Sequence, residues 1–420
     1  MNTSALRWVP SLYFVQGLQF FVVMLIAGLM FKNLGVGNAD IARWTGLMGL
    51  AWAFKPLWSP LIELVASKKR VVVMSQFLSA MGLAAVALAL QLPAWFVLCI
   101  AVFFVLAFAS ATHDIACDGL YMASLDAKRQ AAYAGWQGAF FNASKFLTLG
   151  GLLVLAGWLE KRHGVANAWS AIFLLLALVL AGLAAWNARV LPSAIGSPPA
   201  RGQLWANFAE VLMDFLKKPG IGWAFLFIVL FRFAEGQVQT IGPLFLIEPR
   251  EQGGLGLSTE QVGGIYGTAG TAAFLVGSIL SGYFTAALGL RRAMPVLLLA
   301  MMIPNATFWW LAHALPTDAW LTTAAIAIEM AGYGFGFVGM ILFIMQVVAP
   351  GRFSTAHYAL GSGVMQLGFI FSKTISGDVQ QALGYDTFFA WTMVAGLPAL
   401  LLWLWVRRRI GAPAPEPAAG

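Results

Sequence analysis

Apolar stretches of membrane-crossing length recur along nearly the whole chain, near residues 9–31, 41–66, 71–91, 93–118, 130–158 and 166–190, then near 221–247, 259–287, 293–313, 319–348, 354–380 and 385–406. About 20 apolar residues in a helix cross a hydrocarbon core of about 30 Å. Lipid offers the backbone no hydrogen-bond partners, so helices are the expected spanning form. The pattern predicts an all-α membrane protein with twelve transmembrane helices. Only 10% of the residues are charged, against about 25% in soluble domains, and no stretch is polar enough to form a separate soluble domain. The first run, from Trp8 to Phe31, exceeds a signal-peptide core and lacks a small-residue cleavage pattern, so it reads as a retained helix. Cys99 and Cys117 both lie inside apolar runs. Two such residues build neither a disulfide framework nor a zinc site, and no cofactor is expected.

The net charge of +8 is explained by membrane topology without nucleic acid as a partner. With the amino end in the cytoplasm, sixteen of the 25 basic residues fall in inside segments, among them Arg7, Lys68, Lys69, Arg70, Arg291 and Arg292. Outside segments hold only Lys32, Arg43, Lys161, Arg162 and Arg250. This asymmetry predicts that both termini are cytoplasmic.

Between the sixth and seventh runs the composition changes. Pro192, Gly196, Ser197, Pro198 and Pro199 lead into a charged stretch ending at Lys218, so residues 191–220 read as a cytoplasmic linker between helical bundles at 1–190 and 221–409. Within it Trp205, Phe208, Leu212 and Phe215 recur at helical spacing, which suits either a helix lying along the membrane surface or a plain connector. Residues 410–420, rich in Pro and Ala, read as a disordered tail.

The two bundles carry matching features. Ser59 stands ten residues before Lys69, and Ser281 ten before Arg291, an offset of 281 − 59 = 222. Ser144-Lys145 and Ser372-Lys373 repeat at 372 − 144 = 228, each nine residues after a glycine, Gly135 or Gly363. Two offsets near half the chain argue for a parallel six-plus-six repeat.

Ionisable residues inside the apolar runs carry the functional reading, because a charge at mid-bilayer costs at least about 2.5–3.5 kcal/mol on insertion scales and usually faces a cavity or a partner. Lys55, Lys145, Arg232, Glu235, Glu329 and Lys373 all sit well inside their runs. Arg232 and Glu235, three apart, share a helix face. Two roles fit them: a self-neutralising pair, or an anion ligand and a proton acceptor once substrate separates them. Gln237 and Gln239 extend this polar helix. His113, Asp114 and Asp118 form a second group, in which 113 and 114 point about 100° apart on a helix. That divergence argues against one metal site. An inner gate, with the acids paired to basic groups such as Arg129, is the preferred role.

Gly334, Gly336 and Gly339 spell a formal G-x-G-x-x-G, but within a helix rather than after a strand, so they read as close helix packing and not as a dinucleotide site. No Walker-type phosphate loop occurs. The energy for any transport must come from a gradient, with protons the default.

Gln16-Gly17-Leu18, the segment Lys55-Pro56-Leu57-Trp58-Ser59-Pro60-Leu61, and His113-Asp114-Ile115-Ala116 with Asp118-Gly119 resemble the AmpG-related branch of the major facilitator superfamily, most closely over the first 145 residues. The resemblance implies a twelve-helix permease of the bacterial inner membrane, working by alternating access around a central cavity. AmpG permeases proper usually carry further hydrophobic segments. With room for twelve only, this chain is more similar to the shorter RhtX/FptX-type siderophore importers.

The preferred expectation is therefore a monomeric, proton-coupled importer of a ferric siderophore, not an enzyme. Muropeptide import is the alternative, and a non-transporting signalling or scaffold protein the third reading. Gln16, Lys55, Lys145, Arg232, Gln237, Glu329 and Lys373 are the expected substrate-binding residues, and Glu235, Asp114 and Asp118 the expected proton-coupling ones. Trp52, Trp58, Trp136, Trp309 and Trp310 supply candidate aromatic walls, with packing or interfacial anchoring as their competing role.

Overall fold

The computed structural model describes residues 5–63, 67–193 and 201–406. The expected tail at 410–420 and the linker residues Gly196 to Pro199 lie outside them.

The helices follow the apolar runs. In chain order they are α1 (Ala5–Asn33), α2 (Asn38–Met48), α3 (Leu50–Glu63), α4 (Lys68–Ala89) and α5 (Trp95–Ser124). Next comes α6, made of Ala127–Lys145, a π-helical turn at Phe146–Leu152, and Leu153–His163; α7 (Val165–Val190) and α8 (Arg201–Leu216) follow. The remaining helices are α9 (Ile221–Ile247), α10 (Thr259–Leu288), α11 (Leu290–Ala314), α12 (Ala319–Val348), α13 (Ser354–Ala395) and α14 (Leu397–Val406).

Ten stretches of the described residues are long and apolar enough to cross a membrane. One of them, Ala356–Trp405, is 50 residues long, about twice what one crossing needs. It bends at Gly384, whose φ of 72° and ψ of 168° are open to glycine at little cost. The second predicted run is divided at Gly49 into α2 and α3.

Local chemistry sets the ends. Asp126 opens α6 by accepting from the Arg129 backbone N–H at 2.8 Å, Asp318 opens α12 through the N–H groups of Trp320 and Leu321, and Ser258 with Gln261 forms a capping box at α10.

The chain divides into two compact units, Met1–Leu204 with Leu257–Thr268, and Trp205–Gly256 with Ala269–Gly420. In the first, Trp8, Leu12 and Tyr13 of α1 pack against Val72 of α4 and Leu120 and Tyr121 of α5. In the second, Phe227 and Phe231 of α9 meet Met294, Phe343 and Trp403. Of the α8 stripe, Phe215 joins this second core, and the Trp205 side chain lies outside the described residues. Phe215 is 2% exposed there, its ring 5.3 Å from that of the buried His357, while Phe208 and Leu212 are half-buried. Lys218, just beyond α8, donates to the carbonyls of Val348 and Pro350 at 2.7 and 2.6 Å and so ties α8 to the end of α12. Burial pushes its ammonium below its ordinary pKa, with the Asp214 carboxylate partly offsetting the shift.

The three glycines of α12 are packing positions. A Cβ on Gly334 would strike the Phe274 carbonyl of α10, one on Gly336 would lie 2.6 Å from the Leu297 carbonyl of α11, and one on Gly339 2.6 Å from the Leu297 side chain. Bare backbone there lets α12 lie close to two neighbours.

Candidate functional site

In the first unit, α1, α3, α5 and α6 bring polar side chains together. Lys55 on α3 forms an ion pair with Asp114 on α5; its side chain keeps 32% exposure and that of Asp114 12%. One turn further along α5, Asp118 accepts from the Tyr13 hydroxyl at 3.0 Å, and that hydroxyl accepts from Gln137 of α6 at 2.9 Å. Gln16, one turn along α1 from Tyr13, accepts from the Cys117 thiol at 3.7 Å. The expected pairing of these acids with Arg129 is not found. Arg129 lies 3.8 Å from its own helix cap, Asp126, because α5 runs on to Ser124 and carries Asp114 far from the start of α6.

His113 faces another way. Fully buried, it meets Gln76 at 2.9 Å; Gln76 accepts from Asn187 at 3.2 Å, and Asn187 accepts from Ser11 at 2.7 Å. This chain ties four helices together and keeps the imidazole out of the carboxylate group. Among the described residues no three His, Cys, Asp or Glu side chains gather as metal ligands would.

The second unit holds the more deeply buried charges. Arg232 and Glu235 on α9 are each 5% exposed and form an ion pair at 2.8 Å. The Arg232 guanidinium also lies over the rings of Phe369, at 4.5 Å, and Phe337, at 5.1 Å. Tyr333 of α12 lies near this pair. Further along α9, Gln239 donates to Glu329 of α12 at 3.1 Å, and the fully buried Gln237 accepts from the Trp391 indole at 3.2 Å. Lys373 of α13 is 4% exposed and Glu329 2%.

Corresponding positions in the two units share one packing device. Ser144, next to Lys145, donates to the Phe141 carbonyl at 2.6 Å and occupies the space where a Cβ on Gly17 would stand. Ser372, next to Lys373, donates to the Phe233 carbonyl and lies 2.9 Å from where a Cβ on Gly236 would stand. Lys145 itself is half-buried, its ammonium 6.0 Å from the centre of the Phe21 ring.

The tryptophans separate into two groups. Trp52 is 8% exposed and edge-on to Phe20 at 5.2 Å, and Trp58 leans on Phe108 at 5.5 Å, whereas Trp136, Trp309 and Trp310 lie on exposed helix faces. Tyr13, Gln137 and Tyr333 were not among the expected site residues. Each sits one helical turn or two from one that was: Tyr13 lies three before Gln16, Gln137 eight before Lys145 and Tyr333 four after Glu329.

Residues 11–373 match the family model of the Major Facilitator Superfamily. Over 400 residues the chain is 26% identical to the anhydromuropeptide permease of Escherichia coli strain K12, a match covering 92% of this chain and 77% of that protein. Among solved structures it is similar to a bacterial homologue of the human lysosomal transporter Spinster, with a TM-score of 0.74 at 13% identity over 97% of this chain and 98% of that one. It is also similar to the nucleoside transporter NupG, with a TM-score of 0.67 at 16% identity over 96% and 99%. Identities this low bear on the fold alone.

Proposed function

Because this chain belongs to the Major Facilitator Superfamily, a family of membrane transporters, we propose that it is a secondary transporter of the inner membrane carrying an anhydromuropeptide-like solute, a sugar linked to a carboxylate-bearing peptide, into the bacterial cytoplasm. The observation that carries this reading is the placement of charge in the second unit. Arg232, Glu235, Glu329 and Lys373 lie in membrane-length helices and are 2–5% exposed. A bundle without a polar task has no reason to bear the cost of four such groups. Arg232, a planar fork of donors backed by two aromatic rings, suits a solute carboxylate, and Lys373 adds positive charge in the same unit. Gln237 and Glu329 there supply the amide and carboxylate contacts that sugar hydroxyls take, and in the first unit Lys55, Lys145 and Gln16 are groups of the same kinds.

Proton coupling falls to Glu235, Asp114 and Asp118. The first two are held in ion pairs and the third by the Tyr13 hydroxyl. Solute arriving at Arg232 would free Glu235 to take a proton.

Ferric siderophore import is the second reading. Resemblance to a muropeptide permease over 92% of the chain supports the first reading more strongly.

Uptake by proteoliposomes, with an inward proton gradient and then a protonophore, tests both. Labelled anhydromuropeptide should accumulate and iron-59 siderophore should not. Accumulation of the iron complex alone would reverse the order, and uptake untouched by the protonophore would remove the proton.

A further inference from the structure

Away from the residues assigned above, Glu160, near the end of α6, is a carboxylate of the first unit that accepts three side-chain hydrogen bonds. One of its oxygens accepts from Asn33 Nδ2, at the end of α1, at 3.0 Å and from Trp169 Nε1, on α7, at 2.8 Å. The other accepts from Thr259 Oγ1, the first residue of α10, at 2.6 Å. Asn33 Nδ2 also donates to Thr259 Oγ1 at 2.7 Å, and the adjoining Lys161 and Glu260 form an ion pair at 2.5 Å. Four helices therefore meet on one side chain.

The backbones beneath it touch. A Cβ on Gly157 of α6 would strike the backbone of Glu260, one on Gly267 the carbonyl of Leu149, and one on Gly150 would come within 2.8 Å of Thr268 Oγ1. Leu257–Thr268 thus belongs to the first unit, while α10 continues from Ala269 into the second. The handover falls inside a π-helical stretch, Gly263–Gly270, which contains four glycines. Such wide turns are rare in helices and frequent at functional sites.

We propose that Glu160, with Asn33 and Thr259, is a polar latch: a set of positioning residues that hold the first turn of α10 on α6, release it once in each transport cycle, and use Gly263–Gly270 as the hinge. The proposal rests on the transporter reading for its purpose, though its labelling test does not. Direct hydrogen bonds suit a reversible joint. Each has a water-like replacement once the contact opens, whereas a glycine seam alone would separate only against lost packing.

Val262, fully buried in the latched segment, is the reporter. In proteoliposomes of the full chain carrying Val262→Cys, labelling by a water-soluble maleimide should be slow, about fivefold faster with Glu160→Ala, and close to the parent rate with Glu160→Gln, whose carbonyl still accepts from Asn33 and Trp169. Equal rates in the parent and Glu160→Ala would overturn the latch. In a second arm, Asn33→Cys with Thr259→Cys should form a disulfide on oxidation that abolishes anhydromuropeptide uptake, and reductant should restore it in the same preparation, which controls for folding. Full uptake by the oxidised protein would also overturn it. Absence of uptake in every state, parent included, counts against the solute assignment, and the labelling rates then decide the latch.

Discussion

At the scale of single residues, burial decides which charges matter. Arg232 and Glu235 expose only 6% of their side chains, so removal of one partner leaves the other charge with no water to take over. Arg232→Met should cost about 3–5 kcal/mol, read as a lower unfolding temperature in detergent. The double variant Arg232→Met/Glu235→Leu should regain most of that stability, because an apolar pair of similar volume has no charge to desolvate. Uptake should be lost in both. A double variant that is stable and transports normally would show the pair to be structural only. Lys55 and Asp114 make the contrast. With 32% of the lysine side chain exposed, water can replace the ammonium, and Lys55→Met should cost about 1 kcal/mol or less. Sequence reasoning found both basic residues, yet it misplaced the partner of Asp114. Arg129 is the example expected there, but α5 continues ten residues past Asp114, about 15 Å of helix. Lys55, 59 residues away, is the neighbour. Glu160 is not legible in the sequence, because nothing in its spacing announces three donors from three other helices.

Among the elements, what was legible is what repeats locally. The apolar runs locate the helices because the bilayer imposes both length and hydrogen bonding on them, and the spacing of small residues in α12 announces a close-packed face. Breaks inside helices were less legible. The π-helical turns of α1, α6, α10 and α12 depend on neighbours rather than on local propensity. The stripe of α8 has the same pattern whether it faces lipid or protein, and it is the ring of His357 that gives Phe215 a protein neighbour. The packing of α12 can be tested directly. Gly336→Leu must displace the Leu297 backbone and the Met301 side chain, at about 3 kcal/mol for an overpacked core. Gly282→Leu on the exposed face of α10 meets nothing within 4 Å and should stay within about 0.5 kcal/mol of the parent. Thermal unfolding of the two variants checks the difference; equal losses would mean that α12 is not held by its glycine face.

For the molecule as a whole, two kinds of sequence regularity point the same way. Ser144-Lys145 and Ser372-Lys373 are 228 residues apart, and in each unit the serine fills the place left by a glycine, Gly17 on α1 or Gly236 on α9. The repetition seen as a spacing is therefore a repeated helix contact. The second regularity is charge, and it makes an independent prediction about orientation. If the basic excess sets topology, Lys69, at the start of α4, and Arg291, at the start of α11, stand on the cytoplasmic side. Lys161, at the end of α6, and Asp318, at the start of α12, then stand on the opposite side. The α4 segment from Lys68 to Ala89 and the α12 segment from Ala319 to Val348 are each long enough to separate the two sets by one crossing. Single cysteines at these four positions, challenged in intact cells with a membrane-impermeant thiol reagent, should label at 161 and 318 only; after permeabilisation all four should label. The reverse pattern would turn the protein over, making the proposed importer an exporter in geometry. Labelling at 69 and 161 together in intact cells would break the alternation of crossings on which the six-plus-six arrangement depends.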